Sequence, residues 1–183
     1  MKQTLLRYLP NIITSLRLAA VPPVALLLWF GEYDSALFVF AFAGVSDGVD
    51  GYLARRFQWE SHWGAVMDPL ADKLLMVTTA AVLVFKGLLP LWLFVLIMGR
   101  DVMLVGGAGL YRWWFGPFDV QPSVLGKIST FIQILLILSL LVHVATGLMS
   151  DEQIRFMIWM CAAATILSGA HYLFVWVRKA INE

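Results

Sequence analysis

Six long apolar runs, each closed by a short polar or glycine-bearing break, set the pattern of the chain. A helix that crosses a bilayer needs about 20 mostly apolar residues. Runs of that kind cover residues 12–30, 35–54, 64–85, 89–110, 123–146 and 152–177. The breaks read FGEYD, RRFQWESHW, KGLLP, YRWWFGPFDVQP and GLMSDEQ, and each carries the turn-forming or charged residues that end an apolar helix. The expectation is an all-α, polytopic membrane protein: six transmembrane helices in a single domain over residues 1–183. Before the first run, KQTLLRYLP is short and amphipathic enough to lie on the membrane surface beside it. A basic start followed by an apolar run also fits a signal peptide. Arg7 and Arg17 bracket the early part, however, and no small-residue cleavage pattern follows, so an uncleaved first helix is expected.

Composition strengthens the membrane reading. The 183 residues are 61% hydrophobic and 14% charged, against about 25% charged in a soluble domain, and the mean hydropathy is +0.81. A formal net charge of +1, with no basic run interleaved with aromatics, argues against a nucleic-acid partner. The single cysteine, Cys161, excludes an intrachain disulfide framework. With the N-terminus inside, the cytoplasmic segments hold Lys2, Arg7, Arg55, Arg56, Arg112, Arg178 and Lys179, while the outer loops hold only Lys86 and Arg155 beside four acidic residues. Both termini are therefore expected on the cytoplasmic side of the cell's inner membrane.

One stretch breaks the apolar pattern: SDGVDGYLARRFQWESHWGAVMDPLAD, residues 46–72. At 100° per residue, Asp47, Asp50, Gly51, Ala54 and Arg55 share an arc of roughly 140° on the last turns of helix two. Gly64, Asp68 and Asp72 form an i, i+4, i+8 stripe on the first turns of helix three. The connecting loop is short, so four carboxylates are expected to converge at the cytoplasmic end of this helix pair. Each aspartate costs about 2.5–3.5 kcal/mol at the centre of an inserted helix, and mutual repulsion adds to that. Divalent cations are the natural remedy. Oxygen donors without cysteine or well-placed histidine point to Mg²⁺ or Mn²⁺, two ions per site suiting phosphoryl chemistry. Gly51 and Gly64 bare the backbone to a phosphate-bearing ligand, or serve only close helix packing. Arg55 offers a forked donor for phosphate.

The positions Asp47, Asp50, Gly51, Ala54, Arg55, Gly64, Asp68 and Asp72 spell D-x2-D-G-x2-A-R-x8-G-x3-D-x3-D. This resembles the complete signature of the CDP-alcohol phosphatidyltransferases, and LPNIITSLRLAAVP and LGKISTFIQ look like the family's first and fifth helices. The resemblance implies transfer of a phosphatidyl group from CDP-diacylglycerol to an alcohol, with release of CMP, by a membrane-embedded homodimer. It makes Asp47, Asp50 and Asp68 the main metal ligands. Asp72 contributes to the metal site or acts as the base. Gly51, Ala54, Arg55 and Gly64 border the nucleotide and pyrophosphate, and Asn11, Thr14 and Arg17 form the polar face of helix one that closes the site.

The acceptor is less legible. Arg100 lies inside an apolar helix, where a cation is expensive without a role. It either pairs structurally with Asp101 or joins Lys127, with Arg17 nearby, as a cationic pocket for a phosphate-bearing acceptor. The motifs are similar both to a branch of the family that uses glycerol 3-phosphate and to a CMP-forming branch that uses phosphatidylglycerol. Asp101, where the first branch is expected to hold Glu, speaks for the second; the tail SGAHYLFVWVRKA speaks for the first, which is narrowly favoured. A transporter would also hold intramembrane charges, but more often shows inverted repeats and broken helices. A prenyltransferase would place its aspartates on well-separated helices, whereas these four fall between Asp47 and Asp72.

Overall fold

The computed structural model describes residues 9–57, 62–115 and 123–182; side chains at 9–14, 47–57, 62–66, 108, 110–115, 176–177 and 179–182 lie outside that description. Most of the amphipathic segment before the first helix, with the short connections at 58–61 and 116–122, lies outside the described residues. Within them the chain is entirely helical: α1 (Leu9–Phe30), α2 (Tyr33–Phe57), α3 (His62–Phe85), α4 (Leu91–Phe115), α5 (Val124–Thr146) and α6 (Asp151–Asn182).

Local chemistry explains where these helices stop and start. Gly31 follows α1 with φ at 83° and Gly87 follows α3 with φ at 73°, a region that favours residues without a Cβ. At the first, the Glu32 N–H donates to the Leu27 carbonyl and the Gly31 N–H to Leu28. At the second, Leu88 donates to Leu83 and Gly87 to Val84, so both ends close by the same paired reverse bonds. Helix α6 opens on a reciprocal cap: the Ser150 N–H donates to Gln153 Oε1 at 2.8 Å and the Gln153 N–H to Ser150 Oγ at 3.3 Å. Helix α5 opens on Ser123, whose Oγ accepts the Gly126 N–H at 3.0 Å. Pro22 and Pro23 sit inside α1 and remove two backbone donors, yet the helix runs through them. Helix α4 begins after Pro90 and continues to Phe115, farther than its apolar run predicts, because Tyr111 to Phe115 contain no helix breaker.

Two compact units form, one from residues 1–88 with 141–148 and one from 89–140 with 149–183. In the first, α1 is the helix against which both α2 and α3 pack. Its buried stripe is Arg17, Val24 and Leu28; α2 supplies Ala36, Phe40 and Ala43, and α3 supplies Ala71, Leu75, Thr79 and Leu83. The alanines let the backbones approach closely, which matters in lipid, where helix association rests on van der Waals packing more than on water exclusion. In the second unit, α4 packs against α6. Leu93 and Ile97 of α4 and Ile154, Ile158, Cys161 and Ala162 of α6 are buried.

The expected six crossings are answered in part. Among the described residues, two helices are long and apolar enough to cross a membrane by length and composition: Val124–Thr146, of 23 residues, and Asp151–Val175, of 25 residues. The first is about 35 Å long at 1.5 Å per residue, against a hydrocarbon core of about 30 Å. Shorter apolar stretches, Ser15–Phe30 and Tyr33–Ser46, occupy α1 and α2. The run in α2 ends where Asp47 begins the acidic stretch, and α4 carries Arg100 and Asp101 in mid-helix.

Candidate active site

Helix α3 carries Asp68 and Asp72 one turn apart, both half-buried. Because α3 packs on α1, Arg17 reaches Asp72 across the interface. Its Nη1 donates to Asp72 Oδ1 at 2.7 Å. The pair is asymmetric: the Arg17 side chain is 2% exposed and that of Asp72 is 46% exposed. A guanidinium removed from water needs an anion at short range, and a charge-assisted bond of this length supplies one. The cation is thus enclosed by the helix packing while its carboxylate partner faces accessible space.

Helix α2 carries Asp47, Asp50, Gly51, Ala54 and Arg55 in its last turns, and α3 carries Gly64 in its first. Asn11 and Thr14 lie in the first turns of α1. The side chains at these eight positions lie outside the described residues. Among the described residues, no group of three or more metal-ligating side chains gathers. The described donors Asp68 and Asp72 are hard anionic oxygens, and the candidates on α2 are of the same kind, a donor chemistry that fits Mg²⁺ or Mn²⁺.

A cavity of about 350 Å³ opens between α1 and α2. Leu16, Ala20, Val39, Phe42, Ala43 and Val45 make most of its wall apolar, and Arg17 and Ser46 are its polar lining residues. Arg17 therefore belongs to two neighbourhoods, the cavity wall and the ion pair with α3.

The second unit places Arg100. Its side chain is 9% exposed, with Nη1 donating to Asp101 Oδ1 at 2.9 Å and Nη2 to Ser168 Oγ of α6 at 2.8 Å. Its Nε is buried without a hydrogen-bond partner among the described residues. The Tyr172 hydroxyl, one turn on from Ser168, accepts the Ser123 N–H at 2.9 Å. Gly126 sits against this group: a Cβ there would meet the Tyr172 hydroxyl at 2.9 Å, Arg100 Nη2 at 3.2 Å and Ser123 Oγ at 3.3 Å. Of the two sequence readings of Arg100, the ion pair with Asp101 is present. Lys127, the next residue after Gly126, is exposed.

Sequence reasoning missed the bond from Arg17 to Asp72 and the polar group formed by Ser123, Ser168 and Tyr172. Ser168 and Tyr172 were visible as polar groups four apart on an otherwise apolar helix, a spacing that places both on one face. Arg17 gave no comparable sign of its partner, which is 55 residues away.

The sequence matches the CDP-alcohol phosphatidyltransferase family over residues 7–176. The chain belongs to that family. Among curated relatives of this chain, a Streptomyces coelicolor protein named cardiolipin synthase (CMP-forming) is 41% identical over 67% of this chain and 60% of its own length. A Schizosaccharomyces pombe protein, named as a fusion of cardiolipin synthase (CMP-forming) with a mitochondrial hydrolase, is 34% identical over 90% of this chain and 30% of its own length. A Bacillus subtilis protein named CDP-diacylglycerol--glycerol-3-phosphate 3-phosphatidyltransferase is 31% identical over 90% of this chain and 92% of its own length. Several of these relatives are longer than their match: the chain spans 30% of the S. pombe protein and 63% of a rat relative.

Proposed function

We propose that this protein transfers the phosphatidyl group of CDP-diacylglycerol to an alcohol and releases CMP, with glycerol 3-phosphate as the favoured acceptor. The observation that carries this reading is the family match over residues 7–176, which contains the whole aspartate pattern from Asp47 to Asp72. The second reading, with phosphatidylglycerol as acceptor, is favoured by Asp101 and by the 41% identity to the Streptomyces cardiolipin synthase. The glycerol 3-phosphate reading draws on the Bacillus relative, matched over 92% of its length.

In this mechanism Asp47, Asp50 and Asp68 would hold divalent cations, Mg²⁺ or Mn²⁺, with two ions per site, and Asp72 would contribute to the metal site or act as the base. When bound, these ions neutralise the pyrophosphate and the charge that develops on it. Asp72 accepts the proton of the acceptor hydroxyl. The acceptor oxygen forms a bond to the phosphorus that bears diacylglycerol, and the bond from that phosphorus to the bridging oxygen breaks. CMP leaves with the bridging oxygen. Arg55 donates to the pyrophosphate, and Gly51, Ala54 and Gly64 leave room for the nucleotide, with Asn11 and Thr14 closing the site from α1. Lys127, which is exposed, would receive the acceptor's phosphate, joined by Arg100 only where its fork leaves Asp101 and Ser168. Six membrane crossings, cytoplasmic termini, a cytoplasm-facing site in the inner membrane and a homodimer complete the reading. It is supported by the apolar runs, the lysine and arginine distribution and the family resemblance.

The test is CMP release by the purified protein with CDP-diacylglycerol, Mg²⁺ and one acceptor at a time. Release with glycerol 3-phosphate, reduced about 10³-fold in both Asp68→Asn and Asp72→Asn, is the expected outcome, within the range one positioned acid–base group supplies. Release with phosphatidylglycerol alone selects the second reading. No release with either acceptor removes both.

A further inference from the structure

The sequence assigns Arg17 to acceptor binding, but its geometry points elsewhere. It is enclosed by helix packing, and its Nη1 is committed to Asp72 Oδ1 at 2.7 Å. A side chain 2% exposed has little surface with which to meet an acceptor from solution. Asp72, by contrast, is half-exposed and so can meet one. We infer that Arg17 is a positioning residue: it holds the Asp72 carboxylate in a single orientation from the buried side of α1, leaving the exposed side of that carboxylate to face the chemistry. The inference rests on the phosphatidyltransferase reading, because it concerns the same site.

Three features support the assignment. Because α1 is packed upon by both α2 and α3, Arg17 is anchored on the helix least able to shift relative to either. The bond joins two helices, so it sets the rotation of Asp72 about α3 as well as its rotamer. A carboxylate on an apolar helix otherwise has several staggered rotamers within easy reach, and a short charge-assisted bond from a buried cation to one of its oxygens favours the rotamer that makes it. Misplacing a reacting group by about 1 Å costs around 10²-fold in rate, so the hold reads out in turnover and not in substrate binding. Finally, Arg17 lines the cavity between α1 and α2. Removal of its side chain therefore leaves a space continuous with an existing opening, into which a small guanidinium compound fits.

The experiment measures CMP release by wild type, Arg17→Ala, Arg17→Lys and Asp72→Asn in detergent micelles, with and without added ethylguanidinium. Arg17→Ala is expected to lose about 10²-fold in kcat with little change in KM for CDP-diacylglycerol or for the acceptor. Ethylguanidinium should return part of that loss in Arg17→Ala and none in Asp72→Asn. Arg17→Lys, which keeps the charge but not the fork, should fall between wild type and Arg17→Ala. A loss that appears in acceptor KM restores the acceptor-binding role and overturns the inference, as does a failure of ethylguanidinium to raise kcat. If Arg17→Ala does not fold, Arg17→Lys decides: reduced kcat at unchanged KM supports the hold, and wild-type kcat or raised KM overturns it. An inactive wild type sinks the functional reading itself. That outcome is distinct from an active wild type whose Arg17 variants are equally active, which sinks this inference alone.

Discussion

Gly126→Ala tests how closely the start of α5 is fitted to Arg100 and Tyr172. A Cβ at this position lies 2.9 Å from the Tyr172 hydroxyl, where ordinary contact begins near 3.4 Å, so the hydroxyl must retreat by about 0.5 Å. That movement stretches the 2.9 Å bond it accepts from the Ser123 N–H, the group beside the cap of α5. Arg100 Nη2, 3.2 Å from the new methyl, is crowded as well. Overpacking of this kind costs about 1–3 kcal/mol, and a weakened hydrogen bond adds about 1 kcal/mol. Alanine recovers up to about 1 kcal/mol through its better helix propensity. The net loss is about 1–3 kcal/mol, and at this chain length that lowers Tm by on the order of 5 °C. Gly169→Ala is the matched control: its Cβ would meet Met103 at 3.6 Å and Arg100 at 3.9 Å, both ordinary contacts. Thermal unfolding of the two variants in one detergent should show Gly126→Ala melting lower and Gly169→Ala at or above wild type. Equal melting temperatures, or a rise in Gly126→Ala, would refute the close-fit argument and show that helix propensity outweighs the contact.

Three further outcomes follow from the geometry. Arg100→Lys keeps the charge but cannot reach both Asp101 and Ser168 with a rigid fork, so thermal unfolding should show a loss of about 1–2 kcal/mol, and an unchanged Tm would contradict the structural role of the fork. Ser150→Ala removes one half of the reciprocal cap on α6; unfolding should show a loss of about 1 kcal/mol, while CMP release at low temperature stays at the wild-type rate. Chelation with EDTA should abolish CMP release, and Mg²⁺ or Mn²⁺ should restore it, as a site of hard carboxylate donors requires; activity that survives chelation would contradict the metal assignment.

Much of the architecture was legible in the chain because its determinants are local. Apolar runs of helical length, and breaks bearing Gly31, Gly87 and Gly147, placed every helix within a few residues of its observed position except at the C-terminal ends of α4 and α6. Those two ends ran on because charged and aromatic residues such as Arg112 and Arg178 end an apolar pattern without ending a helix. The spacing of Asp68 and Asp72 put them one turn apart whatever the fold, since an i, i+4 relation depends only on the helix repeat. Eight specified positions were likewise enough to indicate the family, because a motif match needs no coordinates.

Pairings between helices were a different matter. Nothing local to Arg17 announces Asp72, because that bond depends on which helix lies at the centre of the first unit and how each is rotated about its axis. Sequence reasoning set α2 beside α3 through their short connection; the structure adds α1 as the helix that both pack against, and so supplies the counter-ion. Arg100 shows the same division. Its neighbour Asp101 was visible in the sequence, and so was the choice between ion pair and pocket. The bond to Ser168, and the lack of room for a Cβ at Gly126, exist only because α4, α5 and α6 bring residues dozens of positions apart within a few ångströms. Helical periodicity is written in neighbouring residues, whereas the partners of a buried charge are chosen by packing between helices, and only the tertiary structure records that choice.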